Sequence, residues 1–307
     1  MHGAGSGAFG EPSEAFVFCG RYPTGAIMPT PITHETVTTK FAEADGVHYA
    51  YRRFGGPSDA PLVFCHRFRG TMDDWDPATI NGFARERDVI LFDNAGVGLS
   101  TGVVPNNARG MADHLIAFLG ALGVSEVDLL GFSMGGYVAQ FAVLKSPHLF
   151  RRIILAGTGP GGGERYVPGG PDIRPIASRP ILGLEEQLLL FFTSSKRSRS
   201  AGEAYWKRLK SRVGEIEPPV SQEGIKAQLQ ALVAWGEGDS AYNHLAEIKQ
   251  PVLVANGSND VMVPTINSFT MAQLLPNAQL IIYPDSGHGF LFQYPDLFVD
   301  HAVRFLG

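Results

Sequence analysis

The run Val127-Asp128-Leu129-Leu130-Gly131-Phe132 reads as a buried strand and Tyr137 to Leu144 as the body of a helix. Only Ser133, Met134, Gly135 and Gly136 separate them, so the chain has to bend sharply with Ser133 at the apex. A serine held in such a turn presents its Oγ at the end of a sheet. Gly131, two residues before it, and Gly135, two after, let strand and helix pass closely, and Gly136 relieves the same crowding. The plainer alternative is a tight turn in which Ser133 serves only as a helix cap.

Two later segments bear on that choice. Pro251 to Ala255 (PVLVA) is a short apolar run followed by Asn256-Gly257-Ser258-Asn259-Asp260, which places a carboxylate in a loop beyond a strand. Gln279 to Tyr283 (QLIIY) is a further strand candidate, followed by Pro284-Asp285-Ser286-Gly287-His288-Gly289. The order Ser133, Asp260, His288 is the one that accompanies this kind of serine turn. A serine hydroxyl is a weak nucleophile until an imidazole takes its proton, and an acid fixes the tautomer of that imidazole. Taken singly, Asp260 also fits a turn residue and His288 a satisfied loop histidine.

From about Thr38 to the C-terminus the chain resembles the α/β-hydrolase superfamily, in its serine-nucleophile, esterase/perhydrolase-like branch. The resemblance rests on GFSMGG (131–136), NGSNDVMVP (256–264), SGHG (286–289), CHRFRGTMDDWDP (65–77) and FDNAGVGLSTG (92–102). It implies a catalytic triad of Ser133, Asp260 and His288, with an oxyanion hole from the backbone N–H groups of Met134 and Phe68. Relatives usually carry His-Gly-x-Pro-Gly in the second of those loops. Here the run is His66-Arg67-Phe68-Arg69-Gly70, with arginines in place of the glycine and proline. Arg67 and Arg69 are expected to point outward toward Asp73 and Asp74, His66 to brace the loop, and Trp75 to pack beneath it.

The remaining pattern is an alternation of strands and helices. Strand candidates lie near 35–43, 47–54, 61–66, 88–93, 126–132, 151–157, 251–256 and 279–283, and helices near 76–86, 107–122, 134–146, 265–275 and 295–306. This predicts an α/β-hydrolase fold with a mostly parallel eight-stranded sheet, helices on both faces, and an antiparallel edge formed across Asp45-Gly46. Between the sixth and seventh strands the alternation stops. Residues 159–247, with helical pieces near 183–193, 201–213 and 222–236, are expected to form a helical cap that shapes the pocket. Residues 32–158 and 248–307 would be the core. Residues 1–31, rich in Gly, Ala, Ser and Pro, are expected to be a disordered tail or a non-native start.

Other features carry less. Gly157-Thr158-Gly159-Pro160-Gly161-Gly162 has dinucleotide-loop spacing, but such a site needs a helix opening directly from the turn, and Pro160 argues against one. No cofactor is expected, and no His/Cys/Asp/Glu cluster has metal-site spacing. His114 suits a surface pair with Asp113. Lys196-Arg197-Ser198-Arg199, with Lys207, Arg208, Lys210 and Arg212, suits a solvated helix face. A formal net charge of −5 gives no case for nucleic acid. Two cysteines, Cys19 and Cys65, are too few for a disulfide framework, and no apolar run is long enough for a membrane span. These features favour a reduced, cytoplasmic setting, and a homodimer is compatible with them.

The expected activity is cofactor-free hydrolysis of a small or medium carboxylic ester or lactone through an acyl-enzyme. Perhydrolysis, C–C bond hydrolysis and amidase or aminopeptidase activity would use the same triad. A ligand-binding receptor on the same fold is the alternative that is not an enzyme.

Overall fold

The computed structural model describes residues 32–170, 173–177, 179 and 182–307. The tail expected over residues 1–31, and Cys19 with it, lies outside the described residues. Strands β1 (Lys40–Ala44) and β2 (Val47–Gly55) form the antiparallel edge hairpin. Asp45 and Gly46, at its tip, both have positive φ (51° and 74°), as a two-residue primed turn requires. Strand β1 starts at Lys40 rather than near Glu35. The residues before it curl into a turn in which Thr33 O accepts from Val37 N at 2.8 Å, and the Glu35 carboxylate accepts from Asn81 Nδ2 at 2.9 Å. That local bonding wins over the alternating pattern.

The chain then runs through β3 (Leu62–Cys65), α1 (Pro77–Ala84), β4 (Asp88–Phe92), α2 (Ala108–Ala121), β5 (Val127–Phe132), α3 (Met134–Lys145) and β6 (Phe150–Ala156). The helical insertion follows, carrying α4 (Ile173–Ala177), α5 (Leu184–Phe191), α6 (Lys196–Arg208) and α7 (Gln222–Glu237). Strand β7 (Val252–Gly257), α8 (Ile266–Leu274), β8 (Ala278–Tyr283), α9 (Phe290–Gln293) and α10 (Pro295–Leu306) complete the fold. The eight strands form one sheet in the order β1-β2-β4-β3-β5-β6-β7-β8, parallel from β4 to β8.

Every residue of β3, β5 and β7 is buried, and successive side chains point into opposite layers. Val63, Leu129 and Val254 pack on the α2 and α3 side, while Phe64, Leu130 and Leu253 pack on the α1 and α10 side. Truncating Leu129 or Leu130 to alanine removes on the order of 2–5 kcal/mol. The one charge in β5, Asp128, is held by Arg151 at 2.6 Å and Arg87 at 3.1 Å. It sits at the opposite end of the strand from Ser133, away from the pocket.

Three departures from the expected elements have local causes. Helix α6 begins at Lys196, five residues before the expected start, because Ser195 caps it by accepting from Ser198 N at 3.1 Å. The basic cluster is not a uniformly solvated face. Arg199 pairs with Glu185 at the surface, but Arg208 forks onto buried Asp76 at 2.6 and 2.9 Å, and Arg212 reaches Asp73 at 3.2 Å. These two arginines fasten the insertion to the segment after β3. His114 bonds to Tyr49 Oη at 2.6 Å through Nδ1, while Asp113 pairs with Lys145. Among the described residues no helix is long and apolar enough to cross a membrane.

Candidate active site

Ser133 has φ 56° and ψ −120°, a backbone that costs a non-glycine residue about 1–3 kcal/mol. The bend is held by Ser133 N donating to Ala156 O at 2.9 Å and Gly136 N donating to Ser133 O at 2.8 Å. A side chain would not fit beside it. A Cβ on Gly135 would lie 2.1 Å from Cys65 O, and one on Gly131 would lie 2.5 Å from Gly135 O. Ser133 occupies the N-cap position of α3, yet its side chain makes no capping bond. The strain therefore displays the hydroxyl rather than stabilising the helix.

Asp260 lies in the loop after β7. Its Oδ1 accepts from Met262 N at 2.8 Å and Val263 N at 2.9 Å, and its Oδ2 meets His288 Nδ1 at 2.7 Å. Both side chains are fully buried. A neutral imidazole that donates from Nδ1 keeps Nε2 as its acceptor. The Nε2 of His288 is buried and makes no hydrogen bond within the protein. The imidazole packs 4.9 Å from the ring of Phe132, the residue before Ser133, and a Cβ at Gly157 would come within 3.3 Å of it. Histidine and serine thus share one end of the sheet. The loop carrying His288 is tied to the insertion through Gly289 N, which donates to Phe191 O at 2.7 Å.

Asp285, three residues before His288, looks elsewhere. Its carboxylate accepts from Thr193 Oγ1 at 2.8 Å and Ser195 Oγ at 2.7 Å, and these two donors hold its carboxyl below the usual range.

The loop after β3 departs from the expected layout. His66 bonds through Nε2 to Phe92 O at 2.6 Å, and burial pushes its pKa down to about 3, so it is neutral and donates. It braces β4 and is unsuited to act as a base. Trp75 packs 5.7 Å from the His66 ring, under the loop. Arg67 is buried, pairs with Asp74 at 2.8 Å, and lies over the Phe191 ring at 5.3 Å. Arg69 does not turn to Asp73 or Asp74. Its guanidinium donates to Ala177 O at 3.1 Å and Arg179 O at 2.5 Å in the insertion.

A cavity of about 180 Å³ opens over Ser133, lined by Phe68, Tyr137, Tyr166, Ile173, Leu229, Leu232, Val233, Met262 and Val263, among others. Of the residues around this cavity, the sequence marked only Ser133 and Phe68 as site residues. Leu229, Leu232 and Val233 fall at i, i+3 and i+4 on α7, the stripe by which a helix shows its apolar face. That signal was present, but it does not say what the stripe covers. Among the described residues no group of three or more His, Cys, Asp or Glu side chains is placed to hold a metal ion.

Residues 60–295 match the alpha/beta hydrolase fold family. The chain belongs to that family. An alpha/beta hydrolase fold protein from Chitinophaga pinensis has a solved structure that superposes with a TM-score of 0.83 at 39% identity, covering 90% of this chain and 99% of that one. A bifunctional esterase/perhydrolase of Acinetobacter calcoaceticus is 29% identical over 82% of this chain and 92% of its own length. A 2-hydroxy-6-oxononadienedioate/2-hydroxy-6-oxononatrienedioate hydrolase of Burkholderia vietnamiensis is 28% identical over 90% of this chain and 98% of its own length. This α/β-hydrolase therefore has relatives that cleave different bonds.

Proposed function

We propose that this α/β-hydrolase cleaves a small or medium carboxylic ester or lactone whose acyl part is neutral and largely apolar. The observation that carries the reading is the buried Asp260–His288 bond of 2.7 Å, with His288 Nε2 left unbonded at the Ser133 end of the sheet. Ser133 Oγ attacks the carbonyl carbon while His288 Nε2 takes the hydroxyl proton and Asp260 steadies the imidazolium. The carbonyl oxygen becomes an oxyanion facing the N–H groups of Phe68 and Met134. Met134 is the first residue of α3, so its N–H is one of those a helix leaves unpaired. The tetrahedral intermediate collapses, the C–O bond to the alcohol breaks, and His288 returns the proton to the leaving oxygen. Water then attacks the acyl-enzyme with His288 as base, releasing the carboxylic acid and restoring Ser133.

Ester or lactone cleavage is favoured over a dicarboxylate substrate by the cavity lining. Phe68, Ile173, Leu229, Leu232 and Met262 present no charge, and the guanidinium groups of Arg67 and Arg69 are bonded to Asp74 and to backbone carbonyls. Among the described lining residues none would pair a carboxylate buried there. The test is a panel of p-nitrophenyl esters of increasing acyl length, a lactone, and acetate with hydrogen peroxide, alongside covalent labelling by a fluorophosphonate. Multiple turnovers on butyryl or hexanoyl esters, and labelling at Ser133, are expected. A single turnover followed by stalling would favour a receptor, and absence of labelling would remove Ser133 as nucleophile.

A further inference from the structure

Arg69 has φ 61°, a left-handed backbone that a proline, fixed near −65°, does not adopt. The loop therefore takes a path closed to the proline usual at this position, and three hydrogen bonds to described residues accompany it. The Arg69 backbone N–H, which a proline would lack, donates to Gln228 Oε1 at 2.9 Å. Gln228 projects from α7 and is buried, 2% exposed. The guanidinium donates to Ala177 O and Arg179 O, at and just beyond the end of α4. One residue thus grips two separate helices of the insertion, while Gly70 N donates to Arg67 O at 3.0 Å and closes the turn that contains Phe68. Phe68 itself lines the cavity beside Ser133.

We infer that Arg69 is a positioning residue that sets the Phe68 N–H in the oxyanion hole only when α4 and α7 of the insertion are seated. The inference rests on the ester-hydrolase reading of Ser133. A strained φ persists where surrounding bonds over-determine it, and here those bonds come from the insertion rather than from the sheet. Seating the insertion and completing the anion site are then one event. Substrate that fills the cavity between Phe68 and Leu229 would stabilise both.

The test uses Arg69→Gly, Gln228→Leu and Arg69→Lys in the full chain. Glycine accepts the left-handed backbone without strain and keeps the N–H, so Arg69→Gly removes the guanidinium alone and is expected to fold. Gln228→Leu removes the acceptor from the other side. Both variants are expected to show faster amide hydrogen exchange across residues 66–70. They are also expected to lose roughly 10- to 100-fold in kcat, part of the effect of deleting a whole oxyanion donor, with KM little changed. Arg69→Lys, able to reach one carbonyl, should recover part of the loss. Wild-type kcat and exchange in Arg69→Gly would overturn the inference. So would a rise in KM at constant kcat, which would make Arg69 a substrate contact. Should the wild-type chain cleave no ester or lactone, the reading of Ser133 falls by itself, and the exchange measurement still decides whether Arg69 and Gln228 fix the loop.

Discussion

Asp93 and Glu217 meet carboxyl to carboxyl inside the protein, one from the end of β4 and the other from the stretch between α6 and α7. Asp93 accepts from Met72 N at 3.1 Å and Leu99 N at 3.2 Å, and Glu217 Oε2 accepts from Asp73 N at 3.0 Å. Glu217 Oε1 is buried with no donor bonded to it, and Arg52 Nη2 stands 3.5 Å away. Asp73 and Arg212 are the other charged groups at this junction. Two ionised carboxylates have no donor between them, so one proton shared by the pair satisfies it. Burial first, and the charge of Glu217 second, raise Asp93 well above the ordinary carboxylate range.

That proton makes stability depend on pH with a definite sign. Above the ordinary aspartate value of 3.8 the unfolded chain has lost a proton that the folded chain keeps. The contribution of this pair should fall as pH rises from there to the raised folded value, by about 1.4 kcal/mol per pH unit, and then level off. Buried His34 and His66, lowered to about 4 and about 3, contribute with the opposite sign up to their ordinary value of 6.5. Glu217→Gln supplies a fixed N–H donor to Asp93 and should flatten this slope. Urea unfolding of both proteins between acid and neutral pH measures the difference. Identical slopes would show that no proton is shared.

Removing Ser133, the proposed nucleophile, should silence hydrolysis without unfolding the chain. Ser133→Ala is expected to lower kcat by on the order of 10⁴ or more. Circular dichroism and the melting temperature should stay near wild type, since the Oγ makes no capping bond. Retention of more than about a tenth of the activity would refute the assignment.

The two aspartates near His288 should separate cleanly. Asp260→Asn exchanges an acceptor for a donor opposite Nδ1, favours the wrong tautomer, and should cost turnover on the order of 10³–10⁴. Among the described residues the Asp285 carboxylate bonds to Thr193 and Ser195, with the charge of Arg197 nearby, so for Asp285→Asn kcat should change little while the start of α6 loosens to proteolysis. If Asp285→Asn proved the more damaging to turnover, Asp260 would not be the third member.

Arg67 should matter for stability and not for substrate charge. Arg67→Met removes the guanidinium from Asp74, which keeps its bond from Thr71 N at 2.9 Å and is one-third exposed, and is expected to destabilise the fold by about 1–3 kcal/mol. The ratio of kcat/KM for succinyl over butyryl esters should stay within about threefold of wild type. A selective loss of the succinyl ester would place the guanidinium in the pocket.

The fold was legible because buried parallel strands write themselves as short apolar runs and Gly131 and Gly135 mark the sharp turn at Ser133. The strand ends carrying Asp260 and His288 were legible for the same reason. What the sequence hid depends on partners far along the chain. Arg208 looks like one more surface charge until α6 docks on Asp76. Glu217 reads as loop until it meets Asp93. Helices α4 and α9, of five and four residues, are too short to show a period. Arg69 was visible as a departure, but only its φ of 61° reveals what the departure does.

The distribution of the site over the strands also has a history in time. A ribosome delivers β5 and Ser133 first, then the whole insertion, and only afterwards β7 with Asp260 and β8 with His288. At ~5–20 residues per second Ser133 waits roughly 8–30 s for His288, its proposed partner. Through that interval Phe191 has no His288 ring to cover, and the edge of β6 has no β7 to pair with. Exposed apolar surface and an unpaired strand edge favour aggregation, and the proposed site is complete only when the last two strands close the sheet.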